Sequence, residues 1–284
     1  MANLKEIRNR IGSVSSTMQI TSAMKMVSAA KLKKAQDAIT AMRPYADKLT
    51  ELLQNLSATL DADSGSKYSE QREIKNVLLV AITSNRGLCG AFNSNIIKQA
   101  NLVAKRYDAN VSVVAIGKKA NDALSKNFEV ISNQSAVYDE LTFDNVAEIA
   151  EMLMEKFESK AVDKIEIIYN KFKNAATQEI MTEQFLPIEP LEGGTNTNLD
   201  YIFEPSKEEI VETLIPKSLK TQLFKAIRDS FASEHGARMT AMHKATDNAT
   251  ELRDQLKLTY NKARQAAITN EILEIVGGAE ALNG

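Results

Sequence analysis

The sequence is poor in cysteine, histidine and proline, with one cysteine (Cys89), two histidines and five prolines among 284 residues. A single cysteine excludes an intrachain disulfide bond and a cysteine-rich zinc site. No run of 18 consecutive apolar residues is present, and the first ten residues, MANLKEIRNR, lack the apolar segment of a secretory signal peptide. These absences predict a soluble chain of a reducing compartment.

The composition is that of a folded protein, with 44% hydrophobic and 25% charged residues, and a net charge of −2 does not indicate a general nucleic-acid binder. The charge is unevenly distributed. Residues 1–60 carry +5, residues 61–205 carry −7 and residues 206–284 carry zero. Only Gly12 and Pro44 interrupt the first segment. We therefore predict an N-terminal helical arm, a middle domain and a C-terminal helical arm with these boundaries.

The first arm has a heptad repeat. With Leu4 as position a and Ile7 as position d, fourteen of seventeen a and d positions up to residue 60 are apolar. The exceptions, Thr21, Lys25 and Ser28, are consecutive steps of the repeat. A repeat of 3.5 residues kept over this length predicts a helix that supercoils on a partner helix.

The last arm shows a similar repeat built from smaller residues. Its predicted a and d positions are Met242, Ala245, Ala249, Leu252, Leu256, Thr259, Ala263, Ala266, Asn270 and Leu273. Pro216 is expected to break or kink this arm, and Gly277-Gly278 is expected to end it. We predict that the two arms pair with each other as an antiparallel coiled coil, and the alternative is that both arms belong to a homodimer.

The middle segment alternates between strand and helix patterns. The predicted elements are strands Ile74–Thr83, Val111–Ile116, Lys164–Tyr169 and, more weakly, Gln178–Phe185, with helices Asn93–Arg106 and Asn145–Glu158. Apolar, β-branched strands of this kind are typical of a sheet covered on both faces. The order predicts an α/β sheet with right-handed crossovers.

The turn Ser84–Gly90 follows the first strand, where a doubly wound domain would bind phosphate. Its glycines, Gly87 and Gly90, do not complete a dinucleotide fingerprint or a P-loop, so a tight structural turn is favoured over a nucleotide site. His235 and His243 have no third ligand at metal spacing. Cys89 is interpreted as a buried small hydrophobe, and the alternative is a reactive thiol. We predict no catalytic, cofactor or metal site.

Three groups of strings carry a family resemblance. They are IRNRI (7–11) with TMQITSAMKMV (17–27), SNRGLCGAFN (84–93), and ATDNA (245–249) with YNKARQAAITNEI (260–272) and EIVGGA (274–279). In this order they resemble the gamma subunit of F-type ATP synthases, of the bacterial type. The resemblance implies a long antiparallel coiled coil of the terminal helices plus a central Rossmann-like α/β domain.

The same resemblance implies a rotor. The coiled coil would turn inside a ring of alpha and beta subunits, and the middle domain, with epsilon, would sit on the c-subunit ring of the membrane sector. Ion flow would thereby be coupled to ATP synthesis or hydrolysis at the beta subunits. The chain itself would be non-catalytic, would bind no nucleic acid and would meet the membrane only indirectly. It would lie at the cytoplasmic face of the bacterial inner membrane.

The matching motifs also imply which residues of this sequence correspond to functional positions of the family. Lys25 matches a shaft lysine placed near acidic residues of beta, and without the family motif it would be interpreted as a solvated charge. The residues that match positions contacting the ring or coupling rotation to catalysis are Arg238, Arg264, Gln265, Thr269 and Glu271. The resemblance further implies a tip that turns in an apolar bearing of the ring, and the alternative is plain coiled-coil core; its residues are Ile268, Ile272, Ile275 and Val276.

Two other functions compete with the rotor. A coiled-coil nucleic-acid binder would use the first arm, whose first 34 residues hold seven positive charges and one negative charge. Its affinity for DNA would depend strongly on salt. A nucleotide-dependent enzyme would use the Gly87/Gly90 turn and would bind nucleotide without partner subunits.

Overall fold

The computed structural model describes residues 4–57, 67–188 and 207–283. The elements, in chain order, are α1 (Leu4–Ser57), β1 (Asn76–Ile82), α2 (Phe92–Ala104), β2 (Asn110–Ile116), α3 (Lys118–Leu124), β3 (Glu129–Asn133), α4 (Phe143–Glu158), β4 (Lys164–Phe172), β5 (Gln178–Leu186) and α5 (Lys207–Asn283). Two long terminal helices therefore flank a mixed α/β region, which confirms the predicted fold class.

The five strands form one sheet in the order β3-β2-β1-β4-β5. The first four are parallel, and β5 runs antiparallel to β4. Helices α2, α3 and α4 each connect two successive parallel strands, as parallel pairing requires. We call β1–β5 with α2–α4 the sheet domain.

Strand β1 is buried on both faces, and its alternating side chains enter two different apolar clusters. Leu79 belongs to a cluster with Ile96 of α2. Val80 belongs to the other cluster, with Leu153 of α4 and Leu223 of α5. Part of α5 therefore helps to cover one face of the sheet, which explains why β1 is a continuous apolar run rather than an alternating one.

The sequence prediction missed α3 and β3. Strand β3 is a five-residue edge strand that is only half-buried, so it lacks the apolar run that identifies β1 and β2. The predicted end of the last helix at Gly277-Gly278 was also wrong, because α5 continues to Asn283 and also passes through Pro216 without a break. Glycine costs a helix about 1 kcal/mol but removes none of its hydrogen bonds.

The chain forms two compact units. One comprises Met1–Ser28 with Met239–Gly284, and the other comprises Ala29–Arg238. In the first unit, the hydroxyls of Thr21 and Thr246 lie 2.8 Å apart, and Arg8 donates a hydrogen bond to the Tyr260 hydroxyl at 3.0 Å. Residue numbers rise along one helix as they fall along the other, so the pairing is antiparallel and within one chain, as predicted.

Only half of the predicted α5 heptad faces α1. Met242 and Ala249 are buried, as the predicted register requires, but Leu252 is 43% exposed. The adjacent Arg253 instead reaches the sulfur of Met18 at 3.5 Å. The seam therefore uses Thr246, Arg253 and Tyr260 where the sequence favoured Ala245, Leu252 and Thr259. The aliphatic stem of an arginine and the ring of a tyrosine fill such positions while their polar ends reach solvent.

The second unit continues the α1 pattern. The predicted a and d positions Leu32, Ala35, Ile39, Ala46 and Leu49 are all buried. Arg43 of α1 lies 3.8 Å from Asp229 of α5. The heptad positions Leu53, Leu56 and Leu60 lie outside the described side chains. The predicted segment boundaries at 60/61 and 205/206 lie outside the described residues, so the division into three segments stays a prediction.

Candidate functional site

The last turns of α5 carry an exposed apolar patch. Ile268, Ile272, Ile275 and Val276 are between 49% and 66% exposed. Their spacing of four, three and one residues places them on one face of the helix. We call these four residues the apolar tip. Exposed apolar residues gathered on one face are typical of a surface that another protein covers.

The polar residues predicted at this end share the face of the apolar tip. Arg264, Gln265, Thr269 and Glu271 are all exposed. At 100° per residue these four and the apolar tip together span an arc of about 160° around the helix. The Thr269 hydroxyl donates to the carbonyl of Gln265 at 2.9 Å. Within the described residues, Arg264 and Glu271 form no ion pair, so both charges are available to a partner.

Lys25 lies on α1 between two buried hydroxyl residues of the seam, Thr21 and Ser28. It is half-buried, and in the parts of the chain that the structure describes it has no ion-pair partner. The next two residues, Met26 and Val27, are exposed apolar side chains. Lys25 therefore stands beside a second apolar surface, on the N-terminal helix.

Arg238 has a different environment from the other predicted residues. Its side chain is buried in the second compact unit and forms an ion pair with Glu234 at 2.6 Å. Its Nη2 donates to the carbonyls of Arg86 at 3.2 Å and Gly87 at 3.3 Å. Burial raises the pKa of Glu234, and the Arg238 guanidinium opposes that shift. Sequence reasoning missed Glu234, although carboxylate and arginine four residues apart on a helix are the usual signal of an ion pair.

The turn after β1 is held by its own side chains. Asn93 accepts a hydrogen bond from the Ser84 amide at 3.0 Å and donates to the Cys89 sulfur at 3.2 Å. Leu88 and Gly90 have φ angles of 63° and 59°, the region that favours glycine. Cys89 is buried, as predicted, and burial raises the pKa of its thiol. The turn is therefore a tightly bonded structure whose carbonyls accept hydrogen bonds from α5.

Among the residues described, no three His, Cys, Asp or Glu side chains come together in a way that could hold a metal ion. In the same residues, neither of the long helices nor any shorter one has the apolar length needed to cross a bilayer.

Comparison with known proteins identifies the family. The family model described as ATP synthase matches residues 3–282. The proteins named ATP synthase gamma chain from Flavobacterium psychrophilum and Flavobacterium johnsoniae are 77% and 76% identical to this chain, over the full length of both partners in each comparison. The chain belongs to the ATP synthase gamma chain family. The resemblance drawn from the sequence motifs is thereby confirmed.

Solved structures of mitochondrial ATP synthases contain chains with a similar fold. A chain in the central stalk and c-ring structure of the Tetrahymena thermophila mitochondrial ATP synthase superposes with a TM-score of 0.60 at 27% identity, covering 80% of this chain and 99% of that one. A chain of the Euglena gracilis mitochondrial ATP synthase gives a TM-score of 0.69 at 23% identity, covering 98% and 94%. The Euglena match shows the fold alone, over nearly the whole of both chains.

Proposed function

We propose that this gamma chain is the central rotor of an F-type ATP synthase and couples ion flow through the c-ring to ATP synthesis or hydrolysis at the beta subunits. The observation that carries the proposal is the full-length family match on a chain whose terminal helices pair antiparallel. An antiparallel pair of long helices resists bending and twisting better than a single helix, as a shaft must. The exposed apolar residues on α1 and α5 form surfaces to which the subunits of a surrounding ring can bind.

The proposed partners follow from the same family membership. Alpha and beta subunits surround the helix pair, and the sheet domain, with epsilon, rests on the c-subunit ring. The Tetrahymena chain was solved as part of a central stalk with its c-ring, and the Euglena chain with F1 and the c-ring. We propose that the chain carries no active site, binds no nucleic acid and is peripheral to the cytoplasmic face of the bacterial inner membrane, which it meets only through the c-ring.

We further propose roles for the predicted residues. The apolar tip turns within an apolar bearing of the ring. Arg264, Gln265, Thr269 and Glu271 contact the ring beside it, because they share that side of α5. Lys25 approaches acidic groups of beta, and a solvated pair of this kind is worth about 1 kcal/mol or less. Such a contact changes the relative energies of the rotor angles, but it is too weak to hold the subunits together. A ring contact by Arg238 stays a prediction.

A rotation assay tests the proposal. The chain is assembled with alpha and beta subunits on a surface, and a bead is attached through Lys105→Cys, an exposed position on the sheet domain. Cys89 is buried, so the introduced thiol is the reactive one. ATP is expected to drive rotation in one direction, and an assembled, ATP-hydrolysing complex with a stationary bead would contradict the proposal.

Lys25 has its own test, in membrane vesicles that contain the whole synthase. Lys25→Glu is expected to lower ATP-driven proton pumping more than ATP hydrolysis, whereas Lys25→Met is expected to leave a complex that assembles. An unaltered ratio of pumping to hydrolysis in the Glu variant, with normal subunit content, would remove the coupling role.

A further inference from the structure

In a doubly wound sheet, ligands bind at the carboxyl ends of the parallel strands, where the strand order reverses. In this sheet the reversal falls between β1 and β4, because the chain adds β2 and β3 on one side of β1 and then returns to place β4 on the other. The loops that follow β1, β3 and β4 surround this carboxyl edge. In this chain, all three loops contact α5.

The three contacts fall on one stretch of α5, residues 231–238. From the loop after β1, the carbonyls of Arg86 and Gly87 accept hydrogen bonds from Arg238. In the loop after β3, the ring of Tyr138 stacks on Phe231 with a centroid distance of 6.2 Å.

The third contact involves the turn after β4 and a glycine of α5. A Cβ atom placed on Gly236 would stand 3.2 Å from the Cα and the carbonyl oxygen of Ala175. This distance is tighter than most Cβ contacts, so a side chain at this position would require the backbone of Ala175 to shift by a few tenths of an ångström. The helix therefore occupies the edge of the sheet at which other doubly wound domains bind a ligand.

Arg238 makes the hydrogen bonds between α5 and the turn after β1, and these bonds depend on direction. Its side chain is 8% exposed, and its partners are the Glu234 carboxylate and two carbonyls of one turn. A buried guanidinium is tolerated only when it is paired and hydrogen-bonded, so displacing the turn from α5 would leave its charge partly unsatisfied. Apolar contacts, such as Tyr138 on Phe231, can slide at smaller cost because they have no fixed direction.

We propose that the carboxyl edge of the sheet is a grip on α5, and that Arg238, held by Glu234, is the positioning residue that keeps this grip closed when the sheet domain is turned. The inference rests on the proposed rotor function, because only a rotor loads the grip. Torque that enters at the sheet domain passes to α5 through these three loops and through the face of the sheet that α5 covers. In this assignment Arg238 acts inside the chain.

The test is rotation under load in the complex with alpha and beta subunits. The bead is attached through Lys105→Cys, so that α5 drives it through the grip together with the covered face of the sheet. Rotation speeds are compared for a large and a small bead. Since Arg238→Met removes every charged hydrogen bond to the turn, we expect its large-to-small speed ratio to fall at least about twofold below that of the unsubstituted complex. Glu234→Gln, which keeps Arg238 but removes its counter-charge, is expected to give a smaller loss.

The matched control is Lys244→Met, which removes one positive charge from an exposed position of α5 and is expected to keep the ratio. An Arg238→Met ratio equal to that of the unsubstituted complex, with normal subunit content, would overturn the grip. If the unsubstituted complex does not rotate, the rotor function fails, and the grip is then judged by amide hydrogen exchange in the isolated chain.

If the Arg238→Met chain does not assemble with alpha and beta subunits, the same hydrogen-exchange measurement tests the grip in the isolated chain. Amides of residues 84–90 are expected to exchange about tenfold faster in Arg238→Met than in the unsubstituted chain, because a lost charge-assisted hydrogen bond is worth at least one factor of ten in the opening equilibrium. Lys244→Met is expected to leave them unchanged. Unchanged exchange in Arg238→Met would overturn the grip.

Discussion

The hydroxyl oxygens of Thr21 and Thr246 lie 2.8 Å apart, one on each helix of the antiparallel pair. Together with the contact of Met18 to Thr250 and of Arg8 to Tyr260, they set the register of the pair. Small hydroxyl residues in a seam bury less apolar surface than leucine does, so this part of the pair gains stability from close approach and hydrogen bonding. The register has direct experimental consequences.

A disulfide bond tests the register. Thr21→Cys combined with Thr246→Cys is expected to form a cross-link under mild oxidation, because the two hydroxyl oxygens that sulfur atoms would replace lie 2.8 Å apart, within about 1 Å of the length of an S–S bond. Cys89 is buried and does not compete. Thr21→Cys with Asp247→Cys, one residue further and exposed, serves as the control. Equal cross-linking of the two pairs, read from mobility on a non-reducing gel, would contradict the register.

Charges placed on α5 should distinguish the observed seam from the one inferred from sequence. Ala249 is 7% exposed, so Ala249→Asp buries a carboxylate without a partner and is expected to cost several kcal/mol, about 3 or more. Leu252 is 43% exposed, so Leu252→Asp is expected to cost about 0.5 kcal/mol or less. Urea unfolding of the purified chain measures both. The reverse order would restore the register with Leu252 in the seam.

Gly236 should respond to alanine in the opposite sense from another helical glycine. Alanine at an open helical position stabilises by about 1 kcal/mol, and a Cβ atom added at Gly12 would have no neighbouring atom within 4 Å, so Gly12→Ala is expected to show that gain. Gly236→Ala must push the backbone of Ala175 away and is expected to cost about 1–3 kcal/mol. Urea unfolding measures both changes, and stabilisation by both substitutions would argue against close packing at Gly236.

His235 should make stability depend on pH. Burial lowers its pKa from 6.5 to about 4, with Arg238 and Lys31 nearby, and in the described part of the chain neither ring nitrogen has a hydrogen-bond partner. The unfolded chain therefore binds a proton that the folded chain does not, between pH 6.5 and 4. The stabilisation of the folded chain that is linked to neutral His235 is therefore present above pH 6.5 and is lost as the pH falls. The free energy of unfolding decreases by about 2 kcal/mol between pH 7 and 5 from this cause.

His235→Phe keeps the ring against Phe231 and removes the proton site, so its urea-unfolding free energy should fall less between pH 7 and 5 than that of the unsubstituted chain. Exposed His243 supplies the control, and His243→Phe is expected to keep most of the original pH dependence. An unaltered slope in His235→Phe would mean that His235 does not titrate in this window.

The apolar tip should matter for assembly and not for folding. Ile272 is exposed, so Ile272→Asp is expected to leave the unfolding of the isolated chain within about 0.5 kcal/mol of the original. In co-expression with alpha and beta, it is expected to reduce the chain recovered in the complex. Leu273 is equally apolar and exposed but lies outside the 160° side, so Leu273→Asp is expected to reduce recovery less. Equal losses would leave the apolar tip without a special role.

The elements with a periodic pattern of burial could be predicted from the amino-acid sequence alone. The α1 heptad predicted the buried positions from Ile7 to Leu49, because every third or fourth residue of a helix faces the same neighbour along its whole length. The apolar runs of β1 and β2 and the amphipathic helix α4 were predicted for the same reason. In these segments the local sequence pattern was sufficient to predict the type of element and the residues that it buries.

The register of α5 and the environment of Arg238, by contrast, depend on contacts between segments that are far apart in the chain. Thr246, Arg253 and Tyr260 are not recognisable as seam residues in the sequence, because their burial depends on the residues of α1 that face them. The carbonyls that bind Arg238 belong to Arg86 and Gly87, some 150 positions earlier in the chain. Backbone carbonyls are the same in every residue, so no sequence pattern marks them as partners. They become partners only when the folded sheet places its carboxyl edge against α5.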